Sequence, residues 1–426
     1  MKESALILKG NIIYSKSLNE LEICDHGYLV CMEGKVEGIY QTLPFRFGGF
    51  PIQDYGDRLI IPGLVDLHVH APQYSFRGLG MDLELLEWLN TNTFPEEAKY
   101  SDLKYAGKAY GIFAENLKRS ATTRACIFAT IHREAALLLM DMLESTGLCT
   151  MVGKVNMDRN SPEYLCETSA EQSAADTLEW IKDVQHRKYE RTKPILTPRF
   201  IPSCSDELME KLKMLQMRYD LPVQSHLSEN PEEVAWVQEL CPESEFYGDA
   251  YDRFGLFGAD CRTIMAHCVH SDKREIARMK ENGVYIAHCP ESNMNLSSGA
   301  APVRTFLENG MHVGLGSDVA AGSTESIFCA MAHAIQASKL RFRMLDNTLK
   351  PLTLEEVFYM ATKGGGGFFG KVGSLEKGYA CDVLVLDDSR LKHPQELDSK
   401  SRLERIVYFS DDRELFAKYV EGKQIY

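Results

Sequence analysis

The sequence predicts an α/β fold: a (β/α)8 barrel of the TIM type carrying a small β-sandwich built from both chain termini. Three observations lead there. From Pro62 onward, short apolar runs alternate with longer helical segments, the rhythm of repeated βα units around a parallel sheet. Eight such runs can be counted, the number that closes a barrel of this type. The segments on either side of that rhythm are β-rich, with glycine at their turns.

The first sixty residues read as short strands: "ALILKG", "NIIYS", "GYLVCMEGKVEGIY" and "DRLIIPG". The barrel strands then follow as "LVDLHVH" (64–70), "RACIFATIH" (124–132), "CTMVGKVNM" (149–157), "KPILTPRF" (193–200), "LPVQSHL" (221–227), "RTIMAHC" (262–268), "GVYIAHCP" (283–290) and "HVGLGSD" (312–318). Helices are expected between them, among others over 102–120 and over 271–283, the latter with Ser271 as N-cap and Gly283 as its stop. Residues 82–97 form a lid or a helix after the first strand, with Trp88 either over the pocket or in the core. After residue 371 the chain turns β-like again in "GSLEKGYACDVLVLDD", "RIVYFS" and "AKYVEGKQIY". The expected division is therefore a composite sandwich from 1–62 and 371–426, and a barrel over 63–370. The run "GGGGFFGKV" (364–372) comes close to a phosphate-binding loop. It has Val372 where a hydroxyl is needed and no strand leading in, so it reads as a connector.

Composition narrows the function. With 44% hydrophobic and 25% charged residues this is an ordinary globular chain. A formal net charge of −14 argues against a nucleic-acid partner, which would need clustered Lys and Arg. The apolar run near the N-terminus is too short and interrupted for a signal peptide, and no stretch is long enough to span a membrane. The twelve cysteines contain no C-x-x-C pair, and they read as reduced, mostly buried side chains of a cytoplasmic protein.

The chemistry concentrates where the strands end. In "PGLVDLHVHAPQY", His68 and His70 lie two apart on a strand and so face the same way, as a chelating pair. The fifth strand ends in "SHLSE" with His226 and Glu229, the sixth in "AHCVH" with His267, and the eighth in "GLGSD" with Asp318. Imidazoles and a carboxylate converging at a barrel mouth suit Zn²⁺, with Fe²⁺ as the other fit, and leave a position for water. A metal on His68, His70 and His226 would lower the pKa of its water. Asp318 would complete the metal shell and take or orient a proton. Glu229 would shuttle protons to substrate and leaving group, and His267 would hydrogen-bond the water or the tetrahedral intermediate. His270 and His288 read as structural or supporting.

The motifs "PGLVDLHVHAPQYSFRG", "TPRF", "QSHLSEN", "AHC", "HCPESNMNLSSG" and "GLGSDVAAG" resemble those of the amidohydrolase superfamily and, within it, the guanine deaminases. The resemblance spans nearly the whole chain. It implies one catalytic metal per subunit, usually zinc, on His68, His70, His226 and Asp318, with Glu229 as proton shuttle, and it suggests a homodimer. It also implies that Gln73, Arg199 and Phe200 contact the purine, with His267 beside it. Pro72 stands where a Ser is more common and stiffens the loop carrying Gln73. The reaction so implied is attack of metal-activated water on C2 of guanine, giving xanthine and ammonia without an organic cofactor. Two other readings compete: a sister aminohydrolase acting on cytosine, a triazine or an adenosine derivative, and a non-catalytic barrel scaffold.

Overall fold

Eight parallel strands surround a common interior in the computed structural model of the chain, which describes residues 5–426. They form two four-stranded sheets. One holds Leu64–His70, Thr122–Phe128, Cys149–Gly153 and Thr192–Pro194; the other holds Val223–Leu227, Thr263–His267, Tyr285–His288 and His312–Leu315. A parallel bridge between Leu196 and Val223 joins the halves on one side. On the other side the Asp318 N–H donates to the His68 carbonyl at 2.9 Å and the His70 N–H donates to the Val319 carbonyl at 3.2 Å. The last turn of the barrel is thus stitched to the first strand at the histidine pair itself.

The first strand spans the expected residues, but it carries a bulge between Asp66 and Val69 in its pairing with Thr122–Phe128. One extra residue switches which side chains face inward. Below the bulge, Val65 and Leu67 join Cys126, Met151, Ile195, Ile264, Ala266, Ala287 and Cys289 in the barrel interior. Above it, Val69 packs in the outer core and His68 and His70 turn to the centre. The floor is closed by Phe368 and Val372, which belong to the same interior cluster. The glycine run makes that floor possible: a Cβ on Gly366 would lie 2.3 Å from the Val372 carbonyl oxygen.

The helix Leu103–Arg119 is capped by Asp102, which accepts from the Lys104 N–H. Two local expectations are corrected. The helix Lys273–Asn282 is capped by Asp272 rather than Ser271, because the carboxylate accepts from both Arg274 and Glu275 N–H groups; Gly283 ends it at φ 66°. The segment "RIVYFS" is no strand but the second half of the helix Ser399–Phe409, where Asp398 caps and Leu403, Ile406 and Val407 bury one stripe.

The β-rich ends combine as expected, and they do so as one continuous sheet of seven strands. Its order is Lys423–Gln424, Leu415–Val420, Val383–Leu386, Ile52–Pro62, Ala5–Ser17, Glu20–Met32, Lys35–Tyr40. Leu59, Ile61, Leu384 and Leu386 pack toward the barrel, while Leu8, Ile12, Ile60, Val383 and Val385 build a separate core on the opposite face. A buried ion pair, Arg124 Nε to Asp382 Oδ2 at 2.6 Å, ties the second barrel strand to this sheet. Among the described residues no helix is long and apolar enough to cross a membrane.

Candidate active site

Four histidines and a carboxylate meet at the C-terminal ends of the strands. His68 Nε2 and His70 Nε2 lie 3.2 and 3.4 Å from Asp318 Oδ1, and His70 Nε2 lies 3.2 Å from His226 Nε2. Phe128, at the end of the second strand, packs against the rings of His68, His70 and His226 with centroids 4.7 to 5.0 Å away. The His226 Nδ1–H donates to the Arg199 carbonyl at 2.6 Å, which leaves Nε2 with its lone pair toward the centre. His267 is held in the same way by Asn293 Oδ1 at 2.9 Å, and its Nε2 looks toward Glu229 Oε2 at 3.4 Å and Asp318 Oδ2 at 3.8 Å. Both His267, at φ 74°, and Asp318, at φ 47°, adopt left-handed backbone, which bends the strand ends inward.

The donor set fits a divalent cation. His68, His70 and His226 bring ring nitrogens within 4.8 Å of one another, and the ring nitrogens of His68 and His267 lie equally close to one another and to a carboxylate oxygen of Asp318. Burial holds His70 and His226 well below the ordinary imidazole pKa, which favours the neutral rings a metal would need. Burial pushes the Asp318 carboxyl upward, but the imidazoles of His68, His267 and His70 outweigh it and keep it ionised. His68 Nε2 and Glu229 Oε1 lack a hydrogen-bond partner among the described residues. Lone pairs and a carboxylate that converge without donors are what a metal shell requires.

Glu229 has the opposite electrostatics. Burial, reinforced by Asp318 and Glu233, lifts its carboxyl well above the usual range. Its backbone is fixed by Glu233, whose Oε2 accepts from the N–H groups of Glu229 and Asn230 at 3.0 and 3.3 Å. Asp318 and Glu229, held ionised and raised in proton affinity respectively, both lie within 3.8 Å of His267 Nε2 and are equipped to handle protons.

A pocket opens onto this cluster, lined by His70, His226, Glu229, His267 and Asp318 together with Gln73, Arg199, Phe200, Leu85, Trp88 and Leu89. Every residue singled out for metal, proton or base contact therefore lies at or directly beneath one pocket. Trp88 meets both expectations for its place: it is buried in the core, donates from Nε1 to the Leu79 carbonyl at 3.2 Å, and lines the pocket. His270 and His288 lie outside the lining; His270 Nε2 bonds the Ser298 carbonyl at 2.8 Å, and His288 is buried beneath.

Sequence reasoning missed several partners. Asp66 accepts from the His68 N–H at 3.1 Å and from Ser317 N–H and Oγ at 3.1 and 2.5 Å, and so binds the first strand to the residue before Asp318. Burial raises its pKa to about 6. An Asp inside an otherwise apolar strand was the available signal. Asn293, within the quoted "HCPESN", orients His267. Glu97, at the end of the 82–97 segment and given no role there, accepts from Arg199 and Gln73 together.

The sequence profile described as "Amidohydrolase family" matches residues 59–425. The chain belongs to the amidohydrolase family. Among other members, the guanine deaminase of Dictyostelium discoideum is 37% identical, with 100% of this chain and 99% of that protein covered. The guanine deaminase of Homo sapiens is 39% identical over 100% of this chain and 97% of its own length. The crystal structure of guanine deaminase from C. acetobutylicum, with guanine bound in its active site, superposes with a TM-score of 0.96 at 48% identity and covers 99% of this chain and 100% of its own. The amidohydrolase fold thus accounts for both the barrel and the sheet made from the termini.

Proposed function

We infer that this chain hydrolyses guanine to xanthine and ammonia. The observation that carries the reading is the single pocket in which a metal-type donor cluster, the buried Glu229 carboxyl and the Gln73, Arg199 and Phe200 trio come together. Full-length similarity to guanine deaminases supports the substrate.

The residues divide the work by chemistry. His68, His70, His226 and Asp318 would hold one divalent ion, zinc by preference for this N and O donor set. When bound, such an ion lowers the pKa of water enough to supply a nucleophile near pH 7. Arg199 donates to the carbonyl oxygen of the base, Gln73 offers its amide to ring nitrogens, and Phe200 gives apolar contact to the flat ring. Glu229 delivers a proton drawn from the attacking water to a ring nitrogen as C2 becomes tetrahedral, then takes the proton of the new C2 hydroxyl and passes it to the departing amine, so that ammonia leaves as the carbonyl forms. His267 steadies the new oxygen at C2. Leu85, Trp88 and Leu89 exclude bulk water from the reacting face.

The remaining assignments follow from this reading. The barrel, 63–370, carries the site, and 1–62 with 371–426 form its companion domain. The enzyme acts as a homodimer in the cytoplasm, consistent with twelve free cysteines, most of them buried; light scattering of the purified protein measures the assembly. The deciding experiment is release of ammonia and xanthine from guanine by zinc-loaded protein, beside a chelator-stripped control. Metal-dependent release of both is expected. Bound metal without release would move the substrate to another aminated ring.

A further inference from the structure

Glu97 does not itself line the pocket, yet it holds two residues that do. Its side chain is buried at 1% exposure, and its Oε2 and Oε1 accept from Arg199 Nη1 and Nη2 at 2.6 and 3.0 Å. The same Oε1 accepts from Gln73 Nε2 at 3.1 Å. The ring of Phe94, from the same helical turn, lies 5.2 Å from the guanidinium carbon. Arg199 and Gln73 are themselves only 3% and 2% exposed, so neither has bulk water as an alternative partner.

Two consequences follow from one carboxylate. Both terminal nitrogens of the guanidinium are taken in a fork, which fixes the plane in which its outer N–H groups reach the pocket. The Gln73 amide is fixed as well: its NH2 goes to Glu97, and its carbonyl oxygen is left for the Ala320 N–H at 3.4 Å and for a donor on the ligand. The second consequence is charge. An unpaired guanidinium in a dry pocket would attract an anion, whereas the ion pair presents directed donors with little net charge. Guanine is a neutral base at neutral pH, while the dioxopurine formed by its deamination is a stronger acid, and a trioxopurine such as urate is a monoanion.

We propose that Glu97 is a positioning and specificity residue: it sets the edges that Arg199 and Gln73 turn to the base, and its charge makes this end of the pocket favour a neutral purine over an anionic one. The proposal rests on the guanine reading above.

The test compares wild type, E97Q and E97D as zinc-loaded protein, measuring guanine kcat and KM, inhibition by xanthine and urate, and metal content. For E97Q we expect guanine KM to rise about tenfold or more with kcat held within about threefold, and urate inhibition to tighten about tenfold, with metal content unchanged. E97D keeps the charge but shortens the reach, so it should raise KM without tightening urate inhibition. Unchanged KM and urate inhibition in E97Q, or a loss confined to kcat, would overturn the proposal. If E97Q does not fold, E97D decides: unchanged KM, or tighter urate inhibition despite the retained charge, would also overturn it. A wild-type protein that does not deaminate guanine defeats the functional reading instead, and urate binding measured by calorimetry on the same proteins still reads the charge argument.

Discussion

The two ends of the barrel solve opposite problems with the same strands. At the lower end, Val65, Leu67, Ile195 and Ile264 meet Phe368 and Val372 in an apolar plug whose glycines let backbones approach closely. At the upper end, His68, His70, His267, Glu229 and Asp318 are equally buried, and two of them sit at positive φ. The bulge in the first strand marks the border between these regimes. Substitution at the lower end should therefore cost stability and leave turnover intact, and substitution at the upper end should do the reverse.

The sharpest break is Glu229→Gln. It should bind metal normally while kcat falls by about 10²–10⁴, the range for losing a general acid–base group; retention of most activity would remove Glu229 from proton transfer. Next, Phe368→Ala should lower unfolding free energy by about 3–5 kcal/mol, as for other buried Phe truncations, with kcat per folded molecule unchanged. A fall in kcat there would mean that the two ends are coupled. Arg199→Ala should raise guanine KM by about 100-fold with a smaller change in kcat, and an unchanged KM would take Arg199 out of the pocket.

A smaller effect concerns pH. Burial, with His267 adding to it, holds His288 at about 3, so the folded protein keeps it neutral while the unfolded chain protonates it below its ordinary value of 6.5. Stability from this residue is complete above pH 6.5 and is lost as pH falls toward 3. His288→Gln should flatten that decline in denaturation midpoints, and an unaltered slope would place the acid sensitivity elsewhere. Smallest of all, Lys99→Ala removes an ion pair to Glu96 whose lysine is 54% exposed, and should shift stability by less than about 1 kcal/mol in a thermal melt.

The contrast also explains what was legible in the sequence. Strand ends bearing His and Asp were legible because buried polar side chains are rare and their order along the chain matches the order of the strands. The first strand and the gathering of both termini into one β-unit were read from periodicity alone. The bulge was not, because it is visible only in how one strand pairs with another. "RIVYFS" was misread because a short apolar run does not distinguish strand from helix, and its cap, Asp398, lies seven residues upstream of Arg405. Ser271 and Asp272 are adjacent and both able to cap, and local geometry chose between them. Glu97 was invisible for a deeper reason: its partners are 24 and 102 residues away, and nothing in its own neighbourhood announces them.

The seam between Asp318, Val319 and the first strand bears on synthesis as well as on architecture. His68 and His70 emerge early from the ribosome, but the strand that bears them gains its second edge only when the chain through residue 319 has been made and has folded back. Until then a nascent chain holds a histidine pair with no carboxylate opposite. Translation arrested before that point should yield polypeptide unable to retain a metal ion through dialysis, however well its earlier βα units have formed.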